Sequence, residues 1–292
     1  MKEQGRKVLF LFFAVVFLCT GALTIRQLLD ARSAEERNNR AEMLANLPSK
    51  PVPTTETPLP TTESAEETAP EPTEEVFDEE TLPDVHTLRL LKLDLSSLRQ
   101  VNSDIIGWIH LPGTEINYPL LHTTDNSTYL HTAWDSTSNV AGSIFLETRS
   151  NPNFSDFNTI LYGHHMRNGS MFAPLIHYKE EAFLADHANI YIATATGVRK
   201  YTVFSAYEAP ITSDTYRLLF KNTAQKQRAL EHYLGSSQWD SPLTPSVSDQ
   251  ILTLSTCTGN GRYETRWVVQ AVFSGFWANK KAGSPQETSL PN

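Results

Sequence analysis

The segment between residues 48 and 84 limits how much of this 292-residue chain can fold. It contains eight of the seventeen prolines, eleven acidic residues and a single lysine. Such a composition buries little apolar surface, and its prolines and like charges keep a chain extended. We therefore expect a disordered Pro/Thr/Glu-rich linker here, followed by roughly two hundred residues that suit one compact domain.

The acidity of the chain lies in the same linker. The formal net charge is −9 overall, but residues 48–84 alone carry −10 and residues 1–47 carry +2. The region after the linker is therefore close to neutral and has no basic footprint for a nucleic acid. We expect no nucleic-acid partner.

Residues 8–25 form an apolar run of eighteen residues, and three basic residues precede it: Lys2, Arg6 and Lys7. This pattern predicts a transmembrane anchor with a cytoplasmic N-terminus and an extracellular remainder. A cleaved signal peptide is the alternative, but no small-x-small cleavage site follows the run. The large residues before Cys19 also argue against a lipidated cysteine. The sequence favours a single-pass protein of the cell membrane.

Short strand-like runs separated by turn residues dominate the region after the linker. Such a pattern predicts a mainly β fold, an antiparallel barrel or sandwich. The predicted strands are 105–109, 116–121, 142–146, 159–162, 190–193, 200–205, 251–254 and 266–276, and the predicted helices are 88–101, 171–178 and 223–234.

Cys257 is the more unusual of the two cysteines, because Cys19 lies in the apolar run and leaves an exported Cys257 without a disulfide partner. Small polar residues precede Cys257, a Gly-rich stretch follows it, and Arg266 lies nine residues further on. This setting suits an accessible, partly ionised thiol. A buried, inert cysteine at the end of a strand remains the alternative.

His164 directly follows Gly163 at the predicted end of a strand, a position where catalytic groups are commonly held. Most single histidines are ordinary structural residues, so this signal alone is weak. His165 comes next, but neighbours on an extended backbone point to opposite faces. Since no matched ligand spacing accompanies the pair, we expect no metal site.

An ordered set of motifs makes the chain resemble the sortase family, and specifically its class B, over about residues 86–278. The motifs are WIHLPGT at 108–114, INYP at 116–119, YL at 129–130, GSIFL at 142–146, YGH at 162–164, SMF at 170–172, TLSTC at 253–257, and Arg266.

The resemblance implies an eight-stranded sortase β-barrel with an N-terminal helical extension and a helix between the sixth and seventh strands. It also implies a membrane-anchored cysteine transpeptidase without a cofactor. Cys257 would attack the carbonyl of a Thr in a C-terminal sorting signal, His164 would act as acid and base, and Arg266 would stabilise the oxyanion. We assign the flanking residues Ser255, Thr256 and Thr258 to substrate binding.

The resemblance further implies two kinds of partner. One is a surface or pilin protein that bears the sorting signal. The other is an amine acceptor, either a cell-wall precursor or a pilin lysine. A cysteine hydrolase using the same site and a non-enzymatic surface adhesin remain alternatives.

The sequence divides the chain into six parts. They are a cytoplasmic N-terminus (1–7), the anchor (8–25), a juxtamembrane segment (26–47), the linker (48–84), the catalytic domain (85–279) and a flexible tail (280–292).

Overall fold

The computed structural model describes residues 2–47, 82–241, 243–259 and 264–279. Most of the predicted linker, residues 260–263 and the predicted tail at 280–292 lie outside these ranges.

Eight strands close into one barrel, so the predicted eight-stranded fold is confirmed. Around the barrel the strand order is β1-β2-β3-β4-β7-β8-β6-β5. The strands are β1 (Ile105–His110), β2 (Asn117–Leu121), β3 (Ile144–Leu146), β4 (Asn158–Tyr162), β5 (Asn189–Thr194), β6 (Gly197–Pro210), β7 (Ile251–Cys257) and β8 (Thr265–Ala278).

The barrel is mixed, and in this respect the expectation of a purely antiparallel sheet is wrong. β2 pairs with β3 in parallel, and β4 pairs with β7 in parallel. Parallel neighbours need long crossover connections, and here residues 122–143 and 163–250 provide them. Sequence patterns locate strands but do not show which of them will pair, so the parallel pairs were not visible.

The helices differ from their predicted bounds in two places. The single helix expected over 88–101 is divided into α2 (Val85–Leu90) and α3 (Leu95–Val101), because the Asp94 carboxylate accepts from the Ser96 and Ser97 amides and starts a new helix. The helix expected over 171–178 is a 3-10 helix, Ala173–Lys179, which α4 (Glu181–Asp186) follows.

The helix expected between the sixth and seventh strands is confirmed as α5 (Thr223–Ser236). The Asn222 side chain caps it by accepting from the Gln225 amide. Leu230 and Tyr233 are buried on its inner face and pack in one cluster with Phe204 of β6. This packing fixes the long connection that leads into β7.

α1 (Lys2–Leu44) is one continuous helix whose C-terminal end packs on the barrel. Ala41, Ala45 and Leu47 are buried in the same cluster as Leu90 of α2 and Trp134. The last part of the predicted juxtamembrane segment, residues 41–47, therefore contributes to the folded core. Within the described ranges, the structure has no helix with both the length and the apolarity needed to cross a membrane.

Candidate active site

Cys257 is the last residue of β7, which lies between β4 and β8 in the barrel. Its thiol forms no disulfide, and the residue is half-buried, so it is not the fully buried cysteine that the sequence left open. β7 itself is buried along its length up to Thr256, and the chain therefore emerges from the core at the thiol.

His164 comes to the same edge of the barrel through the parallel pairing of β4 with β7. The last paired residues are Tyr162 and Ser255, and the Gly163 amide donates to the Ser255 carbonyl at 3.2 Å. His164 and Cys257 each lie two residues beyond that pair. Because parallel strands run in the same direction, both residues lie at the same end of the barrel.

The ring of His164 has a fixed orientation. Its Nε2 lies 2.8 Å from the Leu130 carbonyl oxygen. A carbonyl only accepts, so Nε2 carries the hydrogen and the neutral ring keeps a lone pair on Nδ1. The nitrogen available for proton exchange with a substrate is therefore Nδ1.

Arg266 is placed beside the cysteine by the antiparallel pairing of β7 with β8, in which Cys257 and Arg266 are direct partners. The residue is half-buried, and its Nη1 donates to the neighbouring Thr265 carbonyl at 2.9 Å. Residues opposite each other in an antiparallel pair are close enough to interact. The guanidinium therefore adds positive charge at the edge that holds the thiol.

His165 lies against the turn that follows Cys257. Burial lowers the pKa of His165, and a hydrogen bond with the Cys257 backbone partly offsets that shift. A β-carbon on Gly259, where φ is +74°, would lie 3.1 Å from the His165 Nε2. His165 therefore packs behind the turn after Cys257, and within the part of the chain that the structure describes its buried Nδ1 has no hydrogen-bond partner.

Tyr216 is a residue at this edge that the sequence analysis missed. It ends the 3-10 helix Asp214–Tyr216, and its hydroxyl is 3.0 Å from the Ser255 Oγ. Burial raises the pKa of Tyr216; the hydrogen bond with Ser255 and the charge of Arg266 lower it, and Cys257 raises it further. No local motif marks Tyr216, because its partner is distant in the sequence.

The three residues assigned to substrate binding are almost fully buried. Ser255 and Thr256 are each 2% exposed, and Thr258 is 7% exposed. Ser255 contacts Tyr216, and the Thr256 hydroxyl is buried with no hydrogen-bond partner among the described residues. They shape the strand end around Cys257, and their contact with a substrate stays a prediction.

Comparison with known proteins identifies the family. Residues 109–274 match the sortase domain model. Sortase B of Listeria monocytogenes is 37% identical over 180 residues, which are 61% of this chain and 72% of that protein. Sortase B of Staphylococcus aureus is 37% identical over 161 residues, 55% of this chain and 66% of that protein.

Solved structures show the same likeness. A Staphylococcus aureus sortase B–substrate complex has a TM-score of 0.58 and 35% identity, and the match covers 61% of this chain and 83% of that one. Bacillus anthracis sortase B in complex with AAEK1 has a TM-score of 0.57 and 33% identity, with coverage of 62% and 83%. The chain belongs to class B of the sortase family and is a cysteine transpeptidase.

Proposed function

We propose that Cys257 is the nucleophile, His164 the general acid and base, and Arg266 the oxyanion-stabilising group of this transpeptidase. The observation that supports the proposal is the order of strands β4, β7 and β8, whose registers put these three residues at one end of the barrel. The residues are up to about a hundred positions apart in the sequence, and only this pairing brings them together.

In the first step the Cys257 thiolate attacks the backbone carbonyl carbon of a Thr in the sorting signal. The C–N bond after that Thr breaks, a thioester forms, and the downstream peptide leaves as an amine. His164, as imidazolium, donates its Nδ1 proton to that nitrogen, while its Nε2–H stays hydrogen-bonded to the Leu130 carbonyl.

In the second step an acceptor amine attacks the thioester. His164 Nδ1 accepts a proton from the attacking nitrogen, the C–S bond breaks, and the thiolate of Cys257 is restored. The new amide bond joins the substrate protein to the acceptor. The imidazolium formed here is the acid that the next first step requires.

Both steps pass through a tetrahedral oxyanion, which Arg266 is placed to stabilise. A guanidinium offers several donors in a rigid plane, whereas an ammonium is a mobile point charge. The direct pairing of Arg266 with Cys257 limits the movement of its backbone relative to the thiol. Removing a donor to such an oxyanion typically costs about 10²–10³ in kcat.

We further propose that residues 8–25 anchor the enzyme in the cell membrane with the barrel outside. The apolar run and the three basic residues before it support this. Phe12, Phe13, Phe17 and Leu18 of α1 are each at least 60% exposed. The proposed substrates are surface or pilin proteins with a C-terminal sorting signal, and the proposed acceptor is an amine of a cell-wall precursor or a pilin lysine.

The test is to incubate the full chain in detergent micelles with a peptide library and identify by mass spectrometry the acyl group trapped on Cys257. Cys257→Ala should form no thioester, and His164→Ala should lower turnover by about 10²–10⁴-fold. His165→Ala, the matched neighbour, should lose much less.

Activity retained by His164→Ala together with its loss in His165→Ala would show that the acid is misassigned. A second arm compares products with and without an added amine. A ligated product requires the amine and identifies transfer, whereas only hydrolysed peptide in both arms would contradict transfer to an amine.

A further inference from the structure

The carbonyl that orients His164 belongs to Leu130, and the residue before it is firmly held. Tyr129 is 3% exposed, and its hydroxyl donates to Asp104 Oδ2 at 2.7 Å and accepts from Asn102 Nδ2 at 2.9 Å. The Tyr129 carbonyl accepts from the Ser143 amide at 2.9 Å. The short 3-10 helix Thr128–Leu130 is therefore fixed through both the side chain and the backbone of Tyr129.

Asn102 joins Tyr129 to a second segment. Besides the Tyr129 hydroxyl, its Nδ2 donates to the Trp134 carbonyl at 2.9 Å, and its Oδ1 accepts from the Asp104 amide at 3.0 Å. Asn102 is 8% exposed, so water competes little for these bonds. A buried amide with all these bonds made holds its partners in one arrangement.

Trp134 in turn contacts the end of α1. Its indole Nε1 donates to the Arg37 carbonyl at 3.1 Å, and the residue is 5% exposed. Next to it, Asp135 lies 3.9 Å from Arg40 of the same helix. Trp134, Tyr129, Ala41 and Ala45 belong to one buried cluster.

We propose that Tyr129, Asn102 and Trp134 are positioning residues that connect the docked end of α1 to His164 through the Leu130 carbonyl. The proposal rests on the proposed role of His164 as acid and base. A ring whose Nε2–H is held by a fixed carbonyl presents Nδ1 in one tautomer and one direction. Small misplacements of a reacting group are costly to rate, so the network acts on turnover more than on substrate affinity.

The test uses two tyrosines with matched surroundings. Tyr129 and Tyr191 lie in the same cluster, and each donates to a buried or half-buried carboxylate, Asp104 and Asp84 respectively. Tyr129→Phe and Tyr191→Phe each remove one hydroxyl that donates to a carboxylate, and we expect them to lower the free energy of unfolding by similar amounts. In the full chain, Tyr129→Phe should lower kcat roughly tenfold with KM changed by less than about twofold. Tyr191→Phe should leave both constants close to wild type.

A spectroscopic arm separates positioning from general destabilisation. In the ¹⁵N-histidine-labelled full chain, the His164 signals are assigned by their absence in His164→Gln. At a pH high enough for the imidazole to be neutral, wild type and Tyr191→Phe should show the single Nε2–H tautomer, whereas Tyr129→Phe should show averaged ring nitrogens. Trp134→Phe, which keeps an aromatic ring but removes the bond to Arg37, should show the same averaging.

The outcomes distinguish this inference from the proposed function. A wild-type tautomer and wild-type kcat in Tyr129→Phe, with an inactive His164→Ala, would overturn the positioning network alone. A fully active His164→Ala would overturn the proposed role of His164, and the network would fail with it. Equal losses of kcat in both tyrosine variants would also overturn the inference, since they would report only folding.

Discussion

Replacing Leu47 by alanine should destabilise the barrel, although residues 48–84 separate Leu47 from the first helix of the predicted catalytic domain. Leu47 is 4% exposed and shares a cluster with Leu90, Leu98 and Trp108. The truncation removes packing from the cluster that contains Ile105 and Trp108 of β1. The sequence alone predicts no such effect, because its domain boundary lies at residue 85.

The magnitude follows from the chemistry of the substitution. Leu-to-Ala changes at buried positions typically cost about 2–5 kcal/mol, the larger values where the surroundings cannot close the cavity. Leu47 is 4% exposed and not completely enclosed, so we expect the lower part of this range, about 2–3 kcal/mol. For a domain of this size, each kcal/mol lowers Tm by about 2–4 °C, so Tm should fall by about 4–12 °C.

The assay is urea unfolding of the full chain in detergent, followed by tryptophan fluorescence, since Trp108 and Trp134 lie in the affected cluster. Met43→Ala is the control, because Met43 lies in the same helix but is 72% exposed. It should change the free energy of unfolding by less than about 0.5 kcal/mol. If Leu47→Ala unfolded at the same urea concentration as Met43→Ala, the end of α1 would not be part of the folded unit.

Three further predictions concern the site and the pH dependence of stability. Arg266→Lys should keep the positive charge yet lower kcat/KM by about 10²-fold, because oriented donors are lost; a fully active lysine variant in a steady-state assay would show that charge alone suffices. Tyr216→Phe should lower kcat/KM by about 2–10-fold through loss of the bond to Ser255, and unchanged kinetics would mean that this bond does not shape the site. Burial, together with the charge of His86, lowers the pKa of His110 to about 3. Below pH 6.5 His110 is therefore protonated in the unfolded state and stays neutral in the folded state. Stability should therefore fall by about 1.4 kcal/mol per pH unit below 6.5, and His110→Gln should flatten that slope in urea unfolding at pH 7 and pH 5.

The parts of the site that could be predicted are those with local signals. Tyr162, Gly163 and His164 mark a strand that ends in a loop, and the run into Cys257 does the same for β7. The resemblance then placed the two loops together. From the residues alone, the parallel pairing that joins them was not accessible, since the same strands are compatible with other partners.

Other features carry almost no signal in the sequence. Ala41 near the end of α1 and Ala45 just beyond it are buried in the core, but two alanines near Arg37, Arg40 and Glu42 do not mark a packing face in the sequence. Such a helix is stabilised mainly by packing against its partners, which lie far away in the sequence.

Tyr216 was missed for a similar reason. It lies in a connection between elements, and its hydroxyl meets Ser255 across 39 positions of sequence. Long-range contacts of this kind follow from the closed barrel, and a linear pattern does not contain them.

The docking of α1 on the barrel determines how far the enzyme lies from the membrane. Leu47 is buried in the core, and Asp84 contacts the same domain again. The Asp84 carboxylate caps α2 and accepts from Tyr191 and Lys200. With residues 8–25 in the bilayer as proposed, the continuous helix from there to Ala41 spans about 24 Å. One residue inserted into that stretch would turn the barrel by about 100° around the helix axis and raise it by about 1.5 Å. The number of helical residues between residue 25 and Ala41 thus sets how far the active site lies from the bilayer, whereas the number of residues between 48 and 81 does not enter that distance.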